Sequence, residues 1–378
     1  MRDARRLMLA LGGWAALASC AGLLPSADAH VELARDPVLV PLVFDEGVPL
    51  VDVWIDGRGP HLFKLDTGSG PCVVTDRLAE RLQLPLQSVN GLLTGANGVT
   101  RKVGRVARLD TMGLGEGAAL RDVRAFVLPA EDLDVHDIRR PVEGILGYAM
   151  FVQCTMVIDY RRRALELSRA PLPAADGREV LVMTVQSKTP RVTLSVAGRP
   201  MEVLIDTGND QGLILTEEQG AGLPYVDAPS VGPLLSTVSG MVRVRLARLD
   251  ADVAIGGHRV RRPVVSLMQC GGPMLGAELL SHFRVSLDGR GRRVRFERAQ
   301  ERPVTVDSRI TDGLGLRRAS QGWDVVDVIP DSPADREGVR MGDHVRQIDY
   351  IGRGRYRIEV GRGGDYREVR LRAAPLVR

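Results

Sequence analysis

The sequence predicts a mainly β protein built from two related halves, followed by a smaller C-terminal α/β module. The first observation is a repeat. Leu65-Asp66-Thr67-Gly68-Ser69-Gly70 returns as Ile205-Asp206-Thr207-Gly208-Asn209-Asp210, and Ala107-Arg108-Leu109-Asp110 returns as Ala247-Arg248-Leu249-Asp250, both at a spacing of 140. Later landmarks keep a spacing of 129 (Leu146-Gly147 with Leu275-Gly276; Asp159 with Asp288), so the first half carries an insert of about 11 residues, most simply within Ala130 to Glu143. The second observation is context: each D-T-G follows an alternating apolar run (His61 to Leu65; Met201 to Ile205) and precedes a short β-rich run (Cys72 to Thr75; Leu213 to Thr216). The third is composition. Only 4% of the 378 residues are aromatic while 42 are Gly and 22 are Pro, which favours many short strands and turns over long helices.

Residues 1–29 read as an export signal rather than as fold. Arg2, Arg5 and Arg6 precede the apolar run Leu7 to Ala18, which is too short for a confident membrane span. Leu17-Ala18-Ser19-Cys20 resembles a bacterial lipobox, with Cys20 the lipidated residue; the second reading is cleavage after Ala27-Asp28-Ala29, releasing a soluble protein that begins at His30. Arg5-Arg6 also loosely resembles a twin-arginine signal. Both readings place the protein in the periplasm or cell envelope, with the membrane reached only through a lipid anchor.

In the first half, 37–169, the sequence predicts strands Val38 to Phe44 and Val48 to Ile55, a helix Asp76 to Leu82 capped by Thr75, a hairpin Leu92 to Val103 with the tip Gly95-Ala96-Asn97-Gly98, and a strand Arg121 to Leu128. Gly113 to Gly117 reads as a hairpin turn, since no helix follows it as in a nucleotide-binding loop. Gly144 to Gly147, Thr155 to Asp159 and Ala164 to Ser168 close this half. After a linker, Pro171 to Gly177, the second half (177–299) repeats the order, with a hairpin tip at Ser239-Gly240. The pattern changes near Ile310, so 309–376 forms a third unit with Gly313-Leu314-Gly315-Leu316 at the start of a strand and a short helix capped at Ser332.

Composition excludes several classes. With 44% apolar and 26% charged residues the chain is globular, and its net charge of +4 is spread over Arg-rich turns without the aromatic interleaving of a nucleic-acid surface. No C-x-x-C or H-E-x-x-H occurs and the six His are scattered, so neither metal nor other cofactor is expected. Of the four cysteines, Cys72, Cys154 and Cys270 remain once Cys20 is lipidated or removed. The expectation is buried free thiols, a Cys72 to Cys154 bridge being the alternative.

A repeated aspartate suits one chemistry in particular. Two carboxylates at hydrogen-bond distance cannot both ionise, so one activates a water while its protonated partner polarises a carbonyl. A duplicated chain supplies Asp66 and Asp206 from opposite sides of a pseudo-two-fold axis. Gly68 and Gly208 allow the backbone close to each carboxylate, Thr67 and Thr207 can link the loops, and Ser69 and Asn209 are expected to donate to the carboxylates through their side chains. On these motifs, with Ile145-Leu146-Gly147 and Met274-Leu275-Gly276 as strands crossing beneath the loops, the chain resembles pepsin and retropepsin-like aspartic proteases over residues 37–299. The resemblance implies two pseudo-two-fold related β-barrel halves, a catalytic dyad of Asp66 and Asp206, and substrate flaps at Gly95, Ala96, Asn97 and Gly98 and at Ser239 and Gly240. Two departures stand out: Asn209 and Asp210 stand where Ser, Thr or Ala and a neutral residue are more usual, the third carboxylate being expected to raise the dyad's pKa or impair it, and neither tip carries an aromatic residue.

The C-terminal unit resembles a PDZ domain, with Gly313, Leu314, Gly315 and Leu316 as the carboxylate loop for the C-terminal peptide of a ligand, although the helix that walls the groove has no room between Asp349 and Tyr356. The expectation is an exported, monomeric aspartic endopeptidase with an intramolecular dyad, acting on a peptide or protein substrate. The competing reading is a catalytically inactive envelope scaffold that binds peptides through its cleft or its PDZ-like module.

Overall fold

The computed structural model describes residues 30–133, 141–306, 310–352 and 354–377, and only the backbone of Ser236. The export segment with Cys20, and the middle of the expected insert, lie outside the described residues. The fold is mainly β. In the first half the strands Val38–Asp45, Val48–Ile55 and Arg58–Asp66 form an antiparallel meander. Its turns are tight because Glu46-Gly47 and Asp56-Gly57 all take positive φ, the geometry that matches the strand twist. The meander delivers Asp66 to a loop, after which come Cys72–Thr75 and the helix Asp76–Arg81, whose N-terminus is capped by Thr75 Oγ1 accepting from the Leu78 amide. Thr216 repeats the device as a capping box with Gln219 at the start of Glu217–Gly220.

The halves join through one continuous antiparallel sheet. Thr155–Asp159 pairs with Arg284–Asp288, flanked by Ala164–Ser168 and Arg293–Glu297 and then by Val38–Asp45 and Val180–Gln186. At its centre Val157 faces Ser286, its own counterpart at the 129 spacing, which is where an approximate two-fold axis must pass. Around that axis runs a shared apolar core that includes Phe63, Leu65, Leu146 and Met156 from one half and Ile205, Leu275, Leu287 and Phe296 from the other. Each such side chain contributes about 1.5–3 kcal/mol on burial.

Among the strands beyond the sequence reading are His30–Leu33, Val180–Gln186 and His258–Arg261. The first hairpin is also longer than Leu92 to Val103, running Leu86–Thr94 and Thr100–Leu114 with a bulge between Ser88 and Gly91. Its base is mostly exposed on both faces, so the alternation that marks a half-buried strand is missing there. Cys72, Cys154 and Cys270 are free thiols, and the alternative Cys72 to Cys154 bridge is not formed. Burial pushes the Cys72 and Cys154 thiols up to about 12, which makes them poor nucleophiles.

The C-terminal unit is a five-stranded antiparallel sheet, Leu314–Arg318, Trp323–Val328, His344–Gly352, Arg355–Arg362 and Asp365–Arg372, with the short helix Pro333–Arg336 and its own core around Val325, Ala334 and Tyr356. It sits on the second hairpin, Ser230–Thr237 and Gly240–Arg248. Asp327, 1% exposed, accepts two hydrogen bonds from Arg243 at 2.7 and 2.6 Å and one from the Leu234 amide at 3.1 Å, while Val377 enters the apolar cluster beneath that hairpin. Asp327→Asn should loosen this contact at a cost of about 2 kcal/mol, less than a fully buried pair because Arg243 is partly solvated. Hydrogen exchange would show faster exchange of the Leu234 amide and of the 230–248 hairpin, with the sheet joining the halves unchanged.

Candidate active site

The strand carrying Asp66 lies parallel to Gly144–Gly147, with Asp66 opposite Gly147; the strand carrying Asp206 lies parallel to Met274–Gly276, with Asp206 opposite Gly276. These pairings end both strands at the same level on the two sides of the axis. The loops that follow are bound to each other by four crossed hydrogen bonds. The Thr67 amide donates to Thr207 Oγ1 and the Thr207 amide to Thr67 Oγ1, both at 3.0 Å; Thr67 Oγ1 donates to the Ile205 carbonyl at 2.6 Å and Thr207 Oγ1 to the Leu65 carbonyl at 2.8 Å. Each hydroxyl thus gives one bond and takes one, and no buried donor is wasted.

The carboxyl groups lie against the opposite loop. A methyl group added at Gly208 would stand 2.2 Å from Asp66 Cγ, and one at Gly68 would stand 2.5 Å from Asp206 Cγ, so both positions need glycine for space. Asp66 Oδ1 accepts from the Ser69 amide and Asp206 Oδ1 from the Gly208 amide, each at 3.0 Å. Both aspartates are fully buried. Burial first, and the Asp66 charge second, hold the Asp206 carboxyl well above the usual carboxylate range, with Lys64 and the Gly208 amide acting in the opposite direction.

The two hairpin tips exchange sides. Ala96 packs in the second half's apolar cluster with Leu204 and Met274, and Val238 packs in the first half's cluster with Val73 and Ile145. The tips are tied by the Gly271 amide donating to the Ala96 carbonyl at 3.3 Å and by Arg101 donating to the Val238 carbonyl at 2.8 Å. Gly95 lies against Ser239, where a β-carbon would meet its hydroxyl at 2.8 Å. Gly98 and Gly240 make the turns with positive φ. A separate surface cleft, lined by Arg161, Arg162, His282, Arg284 and Arg298, lies at the ends of the central strands of the sheet joining the halves, whereas the two aspartates are buried.

Several expected roles differ in the structure. Ser69 Oγ donates to the Pro71 carbonyl rather than to Asp66, and Asn209 Oδ1 accepts from the Gln211 amide rather than donating to Asp206: short polar side chains in tight turns satisfy the nearest backbone group. Asp210 is bonded by Gln211 Nε2 at 2.9 Å. In the C-terminal unit the loop Gly313, Leu314, Gly315, Leu316 is capped from within. Asp312 Oδ1 takes the Leu314 amide and Thr311 Oγ1 takes the Gly313 amide, so those donors are not offered to a ligand carboxylate. Burial lifts the Asp312 carboxyl to about 6. The residue that sequence reasoning missed is Lys64, whose ammonium lies 3.0 Å from Asp66 Oδ2. Its signal was a lone cation in an apolar strand, two residues from the aspartate and so on the same face.

Residues 51–150 match the family described as aspartyl protease, and residues 186–288 match the family described as retroviral aspartyl protease. Both halves carry an aspartyl protease signature. Among solved structures, basic 7S globulin from soybean is 14% identical over 70% of this chain and 97% of its own, with a TM-score of 0.43. A retropepsin-like aspartic protease from Rickettsia conorii is 18% identical over 38% of this chain and 96% of its own, with a TM-score of 0.26. No curated protein matches the chain significantly.

Two outcomes are expected here. Thr207→Val removes one donor and one acceptor from the crossed set and should cost about 2–4 kcal/mol in urea unfolding. Asp206→Asn should stabilise the fold at neutral pH. An acid held above its unfolded-state range makes folding weaker as pH rises from the unfolded pKa, about 3.9, towards the folded one, so the gain should vanish at pH below about 3.9.

Proposed function

We propose that the chain is an aspartic endopeptidase in which Asp66 and Asp206 act as one dyad. The observation that carries this reading is the pair of buried carboxyls set against each other's loops by the crossed threonines. In that reading a water held between them loses a proton to the ionised carboxylate as its oxygen adds to the peptide carbonyl carbon. The protonated carboxyl meanwhile gives its proton to the carbonyl oxygen. The gem-diol then collapses, the C–N bond breaks, the amine leaves with a proton, and a carboxylic acid and an amine result. Nothing is oxidised or reduced, and the dyad ends with one shared proton as it began.

The substrate class is a peptide or protein segment in extended form, lying beneath the hairpins 86–114 and 230–248. Because both carboxyls are fully buried, entry requires the two tips to part. Both aspartates come from one chain, so a monomer suffices. In the same proposal the N-terminal segment directs export, either as a lipoprotein signal ending before Cys20, the anchor, or by cleavage after Ala29.

The test is cleavage of a mixed peptide library between about pH 3 and about pH 8. Wild type should cleave, and Asp66→Asn and Asp206→Asn should each lose activity by roughly a thousandfold or more. Peptide binding without turnover at any pH would instead support the scaffold reading.

A further inference from the structure

Among the differences between the two halves beside the dyad, one places a cation there. Lys64 stands two residues before Asp66, and its counterpart at the 140 spacing is Leu204, part of the apolar cluster that receives Ala96. Lys64 is 2% exposed; its Nζ lies 3.0 Å from Asp66 Oδ2 and 3.4 Å from the Gly208 carbonyl of the opposite loop. Its partners across the sheet are Leu50 on one side and Ile145 on the other, both fully buried. An ammonium between aliphatic side chains is retained only where it is paired. A hydrophobe at the same place is what the second half uses, so the fold itself does not demand a cation there.

Building on the aspartic protease reading, we propose that Lys64 is a positioning residue that breaks the symmetry of the dyad: it holds the negative charge on Asp66, which takes the proton from water, and leaves the proton on Asp206, which polarises the substrate carbonyl. Two carboxyls that share one proton are otherwise nearly equivalent. A cation at 3.0 Å from one of them stabilises its anion far more than that of its partner. The upward displacement of Asp206 by burial and by the Asp66 charge runs in the same direction. Other ionisable groups stand further out around the site. They are the Tyr160 phenol, which burial holds in its neutral form; Lys188, against Gly70; Asp210, bonded by Gln211; and Glu278, against Gly212.

The sign of the effect on activity follows. The active dyad carries one negative charge, and a nearby cation lets the first proton leave at lower pH. Without Lys64 the dyad holds both its first and second protons to higher pH, so the whole bell-shaped profile of kcat/KM moves upward. Lys64→Met should shift the acid limb up by about one unit or more, a tenfold or larger loss at a fixed acid pH, while Lys64→Arg, which keeps the charge, should stay near wild type. In wild type labelled with carbon-13 at aspartate carboxyls, the spectrum at neutral pH should show Asp66 ionised and Asp206 protonated. A Lys64→Met profile superimposed on that of wild type, or a spectrum in which Asp206 ionises before Asp66, would overturn the proposal. Should wild type cleave no peptide, the protease reading fails on its own, and the wild-type spectrum still decides where the proton sits.

Discussion

The crossed hydrogen bonds of Thr67 and Thr207 are the constraint on which the rest of the structure depends. Burying two carboxyl groups side by side is unfavourable, and the loops that bear them would separate if left to their own electrostatics. Four hydrogen bonds, each from a group that would otherwise be buried and unpaired, hold the loops together. The continuous sheet through Val157 and Ser286 fixes the halves at the far side of the core, so the two loops meet at one relative orientation.

Much of this was legible in the sequence because it repeats. The two D-T-G loops, the strand crossing beneath each, and the cap at Thr75 depend on neighbours within a few residues. The 129 spacing is the one at which Val157 meets its own counterpart. What was not legible depends on distance through space. Asp327 and Arg243 are 84 residues apart and neither stands out from the surrounding charge. The exchange of Ala96 and Val238 between the halves needs the hairpins' lean, which alternation does not encode. Lys64 is the intermediate case: strand register places it beside Asp66, but a single lysine in a basic chain reads as surface.

The hairpins and the C-terminal unit form a second layer of constraint. Each tip is held in the opposite half, and the second hairpin is also gripped from outside by Asp327 and by the chain end at Val377. The dyad is therefore enclosed by parts of the chain remote in sequence. The C-terminal unit's own loop, meanwhile, is filled by Asp312. It meets the rest of the chain at the hairpin, through Asp327 with Arg243 and the Leu234 amide.

The account stands or falls on Asp66 and Asp206 acting as one unit. The most direct measurement is kcat/KM on a cleaved peptide for Asp66→Asn, Asp206→Asn and the double variant under one set of conditions. A coupled dyad predicts that the double variant is no worse than either single one, since the first loss already removes the shared proton chemistry. A single variant with wild-type turnover, or losses that multiply in the double variant, would contradict it.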